Sequence, residues 1–106
     1  MEITNHSINL NIHYSAPEEI WISLKKIYLE MPQWIGYKNG FPYWFGEDGE
    51  REYITVSVEP SGLQFFGELD KDIFEKWIKL FKEKATIVLG YEIGEPEDGY
   101  KFKFYD

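Results

Sequence analysis

Residues 70–90 read DKDIFEKWIKLFKEKATIVLG, and this stretch constrains everything around it. Phe74, Trp77, Ile78, Phe81, Ala85 and Val88 fall on one stripe of a helix with about 3.6 residues per turn. Glu75, Lys76, Lys79 and Glu83 take the opposite side. Asp70 or Asp72 is placed to accept a hydrogen bond from an orphan amide of the first turn, and Gly90 follows Leu89 where a left-handed residue ends a helix. Each large side chain of the stripe gains roughly 1.5–3 kcal/mol on full burial, so the rest of the chain must supply an apolar surface for it.

That surface is written as alternation. In residues 7–14, Ile8, Leu10, Ile12 and Tyr14 alternate with Asn9, Asn11 and His13, which predicts a strand buried on one face. Ser-Ala-Pro-Glu at residues 15–18 reads as a capping box with proline in the first turn. It opens a helix running to about Met31, with Ile20, Leu24, Ile27 and Met31 inside, Trp21 and Tyr28 flanking, and Pro32 as the stop. Residues 34–46, WIGYKNGFPYWFG, carry the hairpin dipeptide Asn39-Gly40 and the donor-less Pro42, predicting an edge hairpin or ordered loop. Strands are expected over residues 51–58, with Ile54, Val56 and Val58 inward, over 63–69 after the Pro60-Ser61-Gly62 turn, and over 100–105 after Asp98-Gly99.

Two amphipathic helices on one face of a sheet satisfy every stripe at once. The expectation is a single α+β domain over residues 1–106: a two-layer sandwich with a mostly antiparallel sheet, in the order β-α-β-β-β-α-β. A ferredoxin-like or related split arrangement is compatible with it. The other sheet face would then carry Asn9, Asn11, His13, Tyr53, Thr55, Ser57, Gln64, Phe66, Lys101 and Lys103.

Charge narrows the partners. A formal charge of −8 disfavours a phosphate backbone, which is bound mainly through Lys and Arg, and favours a basic protein. The same charge would also keep the protein soluble. The opening MEITNHS has no basic region followed by an apolar run, and no apolar stretch approaches the roughly 20 residues needed to span a bilayer. The expectation is a cytoplasmic protein with no membrane or nucleic-acid partner.

Chemistry finds little foothold. There is no cysteine, and the two histidines, His6 and His13, would lie roughly 23 Å apart on one extended strand at about 3.3 Å per residue, too far to share a metal. The serines form no nucleophile elbow, and the glycines no phosphate-cradling loop. His13, on the outer sheet face, is the one credible general base. Carboxylates cluster at residues 47–52 and 92–98, but solvated turn carboxylates lack the apolar surroundings that raise a catalytic pKa. No catalytic, cofactor or metal residue is therefore assigned, and a non-enzyme is expected.

Surface character remains. Aromatics make up 19% of the chain, more than one small core readily hides. Trp34, Tyr37, Tyr43 and Trp44, with Glu47, Asp48 and Glu50 at one acidic turn and Glu95, Glu97 and Asp98 at the other, are the candidate partner-binding residues. Tyr43 and Phe45 are equally placed to be core. The tail LGYEIGEPEDGYKFKFYD, residues 89–106, together with the compact acidic build, resembles small bacterial toxin-immunity proteins. That resemblance implies a protein that neutralises a basic toxin, such as a nuclease, by covering its active site; it assigns no residue. Two rivals stand beside it. One is a small-ligand protein or minor enzyme with a pocket between the sheet and residues 34–46, lined by Trp34, Trp44 and His13. The other is a self-associating adaptor using an edge strand near Pro42 or the C-terminal strand.

The helical stripe makes its own prediction. Phe81→Ala should cost about 3–5 kcal/mol in chemical denaturation, and Lys79→Ala should be nearly silent. Equal, small effects would mean that the stripe faces solvent.

Overall fold

The structure, a computed structural model, describes residues 2–47 and 51–104. Five strands and two helices follow one another as β1 (Ile3–Leu10), α1 (Glu18–Glu30), β2 (Trp34–Lys38), β3 (Phe41–Trp44), β4 (Tyr53–Glu59), β5 (Gly62–Asp70) and α2 (Lys71–Leu89), with a short 3₁₀ turn at Pro96–Asp98. The strands form one antiparallel sheet in the order β1-β5-β4-β3-β2. The fold is thus an α+β sandwich. Its sheet is a meander from β2 to β5 with β1 closing the far side, in place of a split order.

Local chemistry explains the elements. The Asp70 carboxylate caps α2, accepting from the amides of Asp72 at 3.1 Å and Ile73 at 3.3 Å, and Gly90 ends the helix at φ 81°. The stripe is buried as expected through Ala85, then closes on Leu89; Val88 is 51% exposed, because the last turn meets the core at i+4 from Ala85 instead of i+3. Asn39 and Gly40, at φ 54° and 84°, make the tight turn that joins β2 to β3, a conformation glycine and asparagine tolerate best. Residues 34–46 therefore contribute two strands, one more than the expected order held.

Other expectations fail for physical reasons. Ser15 does not cap α1: its hydroxyl and amide lie 2.8 and 3.1 Å from His13 Nδ1, and the helix starts after Pro17 with no side-chain cap. The strand expected over residues 100–105 is reduced, among the described residues, to one parallel bridge between Ile12 and Lys103. Asn11, expected on the open sheet face, is fully buried instead.

The last two outcomes share one cause. The Asn11 side-chain amide donates to the carbonyls of Glu92 at 2.9 Å and Lys101 at 2.6 Å, and its oxygen accepts from the Gly94 amide at 2.8 Å. Its backbone N–H donates to the Gly94 carbonyl at 3.0 Å, and its carbonyl accepts from the Tyr91 hydroxyl at 2.8 Å. Burial pushes the Tyr91 phenol up to about 12, which keeps it protonated and donating at neutral pH. One side chain thus does for residues 91–101 what a strand ladder would have done, leaving their backbone no reason to extend.

The core lies between sheet and helices. Trp44, Phe65, Trp77 and Phe81 pack together, edge to face for Trp44–Trp77 with centroids 4.9 Å apart and for Phe65–Phe81 at 4.6 Å, and stacked for Trp77–Phe81 at 6.2 Å. Each buried indole is satisfied: Trp44 Nε1 donates to the Tyr28 carbonyl at 3.0 Å, and Trp77 Nε1 to the Pro32 carbonyl at 3.1 Å. On the opposite face Tyr43, Tyr53 and Thr55 are buried as well, with Tyr43 directly across from Thr55 in the ladder and the Thr55 hydroxyl donating to the Pro42 carbonyl at 2.8 Å. Tyr53 and Thr55, expected in the open, therefore form a small second cluster with Tyr43.

Asn11→Asp tests the C-terminal clamp. It keeps the shape but sets a buried carboxylate against two carbonyls, so it should destabilise by at least about 3 kcal/mol at neutral pH. Urea denaturation showing wild-type stability would contradict the clamp.

Candidate functional site

Val58 continues the inward register of Ile54 and Val56, yet it is exposed, although its ladder partner Leu63 is fully buried. Beside it, between α1 and the β2–β3 hairpin, lies a groove of about 440 Å³. Trp21 and Tyr28 of α1 form one wall, Tyr37 and Phe41 of the hairpin the other, and Val58 and Leu63 close the sheet end. Tyr37 is 50% exposed and Phe41 45%, so aromatic surface faces solvent at the mouth.

The site is held from beneath. The Trp21 indole donates to the Ala16 carbonyl at 2.8 Å, which fixes its ring, and the Tyr28 carbonyl accepts from Trp44, which ties the groove to the core. Burial pushes the Tyr28 phenol well above the ordinary tyrosine range, with the neighbouring Tyr37 adding to the effect; burial raises Tyr37 as well. Both remain neutral donors at physiological pH. The charged residues at the rim are Lys25 and Glu59, and the Ser57 hydroxyl donates to the Glu59 carboxylate at 2.8 Å. A surface of this composition can seat an apolar or aromatic group and offer a carboxylate beside it.

The ten residues singled out from the sequence scatter. Tyr37 lines the groove. Trp34 is half-buried, edge-on to Tyr37 at 5.3 Å and Trp44 at 5.5 Å. Trp44 is fully buried and Tyr43 nearly so. Glu47 is bridged to Lys38 at 2.8 Å. Asp48 and Glu50 lie outside the described residues. Glu95 lies at the opposite edge of the sheet, in a cleft beside β1; burial raises its pKa, Lys82 opposes that, and Asp98 and Glu97 reinforce it. Glu97 and Asp98 are exposed on the 3₁₀ turn. Glu95 thus lies beside β1, at one end of the strand order, and Glu47 is paired with Lys38 of β2, at the other.

Trp21, Phe41 and Val58 were not among those ten. A signal for Trp21 was present: Trp21, Lys25 and Tyr28 repeat at helical spacing beside the inner stripe, widening the apolar arc of α1 beyond what one sheet contact uses. The groove lies between α1 and the hairpin, and Trp34, Trp44 and His13, expected to line a pocket between the sheet and residues 34–46, do not line it. His13 is held by Ser15 and packs its ring against Tyr14 at 4.5 Å and Phe102 at 5.7 Å.

Among the described residues no three His, Asp or Glu side chains gather in a way that could hold a metal, and no helix is long and apolar enough to cross a membrane. No protein-family model, curated protein or solved structure matches the chain.

Proposed function

We propose that this chain is a non-catalytic binding protein that captures a basic protein partner, with the groove between α1 and the β2–β3 hairpin seating the partner's apolar anchor. In its most concrete form the reading is an immunity protein that covers the active site of a basic bacterial toxin inside the cytoplasm. The observation that carries it is an open, aromatic-walled groove on a chain with a formal charge of −8. Tyrosine and phenylalanine at the mouth offer large contact area for little rotamer entropy, and the acidic field speeds encounter with a cation-rich surface. Glu59 at the rim is placed to meet a Lys or Arg flanking the anchor.

A second reading has its own support. A volume of about 440 Å³ falls in the range of small-molecule sites, so an aromatic metabolite also fits.

The test is binding to the toxin encoded beside this gene, measured at low and high salt. Association should be tight, with an on-rate that falls as salt rises. Tyr37→Ala combined with Phe41→Ala should weaken it at least about tenfold, while changing folding stability little, because both side chains are half-exposed. No binding at micromolar concentration contradicts the reading, and quenching of Trp21 fluorescence by a small metabolite alone favours the second.

A further inference from the structure

The sheet has two edges, and they are built differently. Natural edge strands are usually blunted by lysine, proline, a bulge or short length, because their outward N–H and C=O groups otherwise invite another strand. β2 is five residues long, carries a bulge between Trp34 and Gly36, and ends in Lys38. β1 has none of these protections. Its sequence, ITNHSINL, contains no proline and no charged residue with histidine neutral, and its register with β5 runs unbroken for eight pairs. Among the described residues, no backbone group of residues 3–9 is hydrogen-bonded outside that ladder. Of the edges expected for self-association, the one near Pro42 is β2, blunted as above, and the C-terminal strand is reduced, among the described residues, to one bridge.

We propose that β1 is a dimerisation edge at which a second copy of this chain pairs antiparallel, β1 to β1, joining the two sheets into one of ten strands. A two-fold axis requires a surface that complements itself. Centred on Ser7, the pairing sets Asn5 across from Asn9 and Ser7 across from its own counterpart on one face, and His6 across from Ile8 on the other. Asparagine and serine both donate and accept, so each meets a competent partner and no like charges oppose one another within the strand. The groove beside α1 lies at the opposite edge and stays open in such a dimer.

The flank of β1 argues for a copy of this chain over a basic protein. A cleft of about 470 Å³ runs between β1 and α2, floored by Phe74 and Ile78. Its rim carries Lys79 and Lys82 beside Glu75 and Glu95. Neither lysine makes a close ion pair among the described residues. The rim thus carries both signs. A second copy brings the same two lysines and two glutamates about the two-fold axis and can set opposite charges against one another, as a uniformly basic partner cannot.

Sedimentation equilibrium over a range of protein concentrations tests the proposal, at low and high salt. Wild type should dimerise, more tightly at high salt, because screening relieves repulsion between two acidic copies; this is the reverse of the salt dependence expected for the basic partner, so the two readings fail separately. Ser7→Lys, at an exposed position, should raise the dimer dissociation constant at least about tenfold, while Ile35→Lys on the β2 edge should leave it unchanged. Where Ser7→Lys fails to fold, Asn5→Lys replaces it. In wild type, amides of residues 3–9 should gain hydrogen-exchange protection as concentration rises. A monomer at every concentration, or a dimer broken by Ile35→Lys and not by the β1 variants, overturns the proposal.

Discussion

The indole of Trp44 has to lose water on every side and still find an acceptor for its N–H, and the chain meets both demands at a single point. Full burial of a tryptophan removes on the order of 150–250 Å² from water, roughly 4–6 kcal/mol of transfer free energy at about 25 cal/mol per Å². That gain depends on neighbours from four elements: Trp34 of β2, Tyr28 of α1, Phe65 of β5 and Trp77 of α2 all bring rings within about 6 Å. The acceptor for the N–H is the Tyr28 carbonyl, in the last turns of α1. Trp44 therefore locks a hairpin near the sheet edge to both helices, and the groove exists because that hairpin is rigid beside α1.

Much of this architecture was legible from residue spacing. α2 declared itself through its stripe, its Asp70 cap and its Gly90 stop, since each is a local device with a local signature. Asn39-Gly40 announced the hairpin for the same reason. What spacing could not show is what a side chain meets across the fold. Asn11 sits at a position that alternation assigns to the open face, yet it is consumed by carbonyls some 80–90 residues further along. The Tyr100–Phe102–Phe104 alternation looks like a strand, and the clamp on Asn11 leaves it without a ladder to join.

The candidate site was less legible than the fold. Counting aromatics suggested a surplus at the surface, and the surplus is smaller than the count implied, because Trp44, Trp77, Phe65 and Phe81 consume one another. Of the residues chosen for an interface, Tyr37 alone lines the groove. Its companions Trp21, Phe41 and Val58 belong to three elements, α1, β3 and β4, whose meeting no single segment encodes. Charge behaved likewise: the two acidic turns look like one feature in the sequence, yet Glu95 lies beside β1 while Glu47 pairs with Lys38 of β2, at the other end of the strand order. The groove and the bare β1 edge are in consequence separate surfaces with opposite expected responses to salt.

Hydrogen exchange at the four indole N–H groups tests most directly whether Trp44 unites the layers. The protons of Trp44 and Trp77 should exchange only through global unfolding, with the free energy found by denaturation, while that of half-buried Trp34 should exchange far faster. Exchange of the Trp44 proton as fast as that of Trp34 would show the hairpin opening independently of the helices, and would contradict the account.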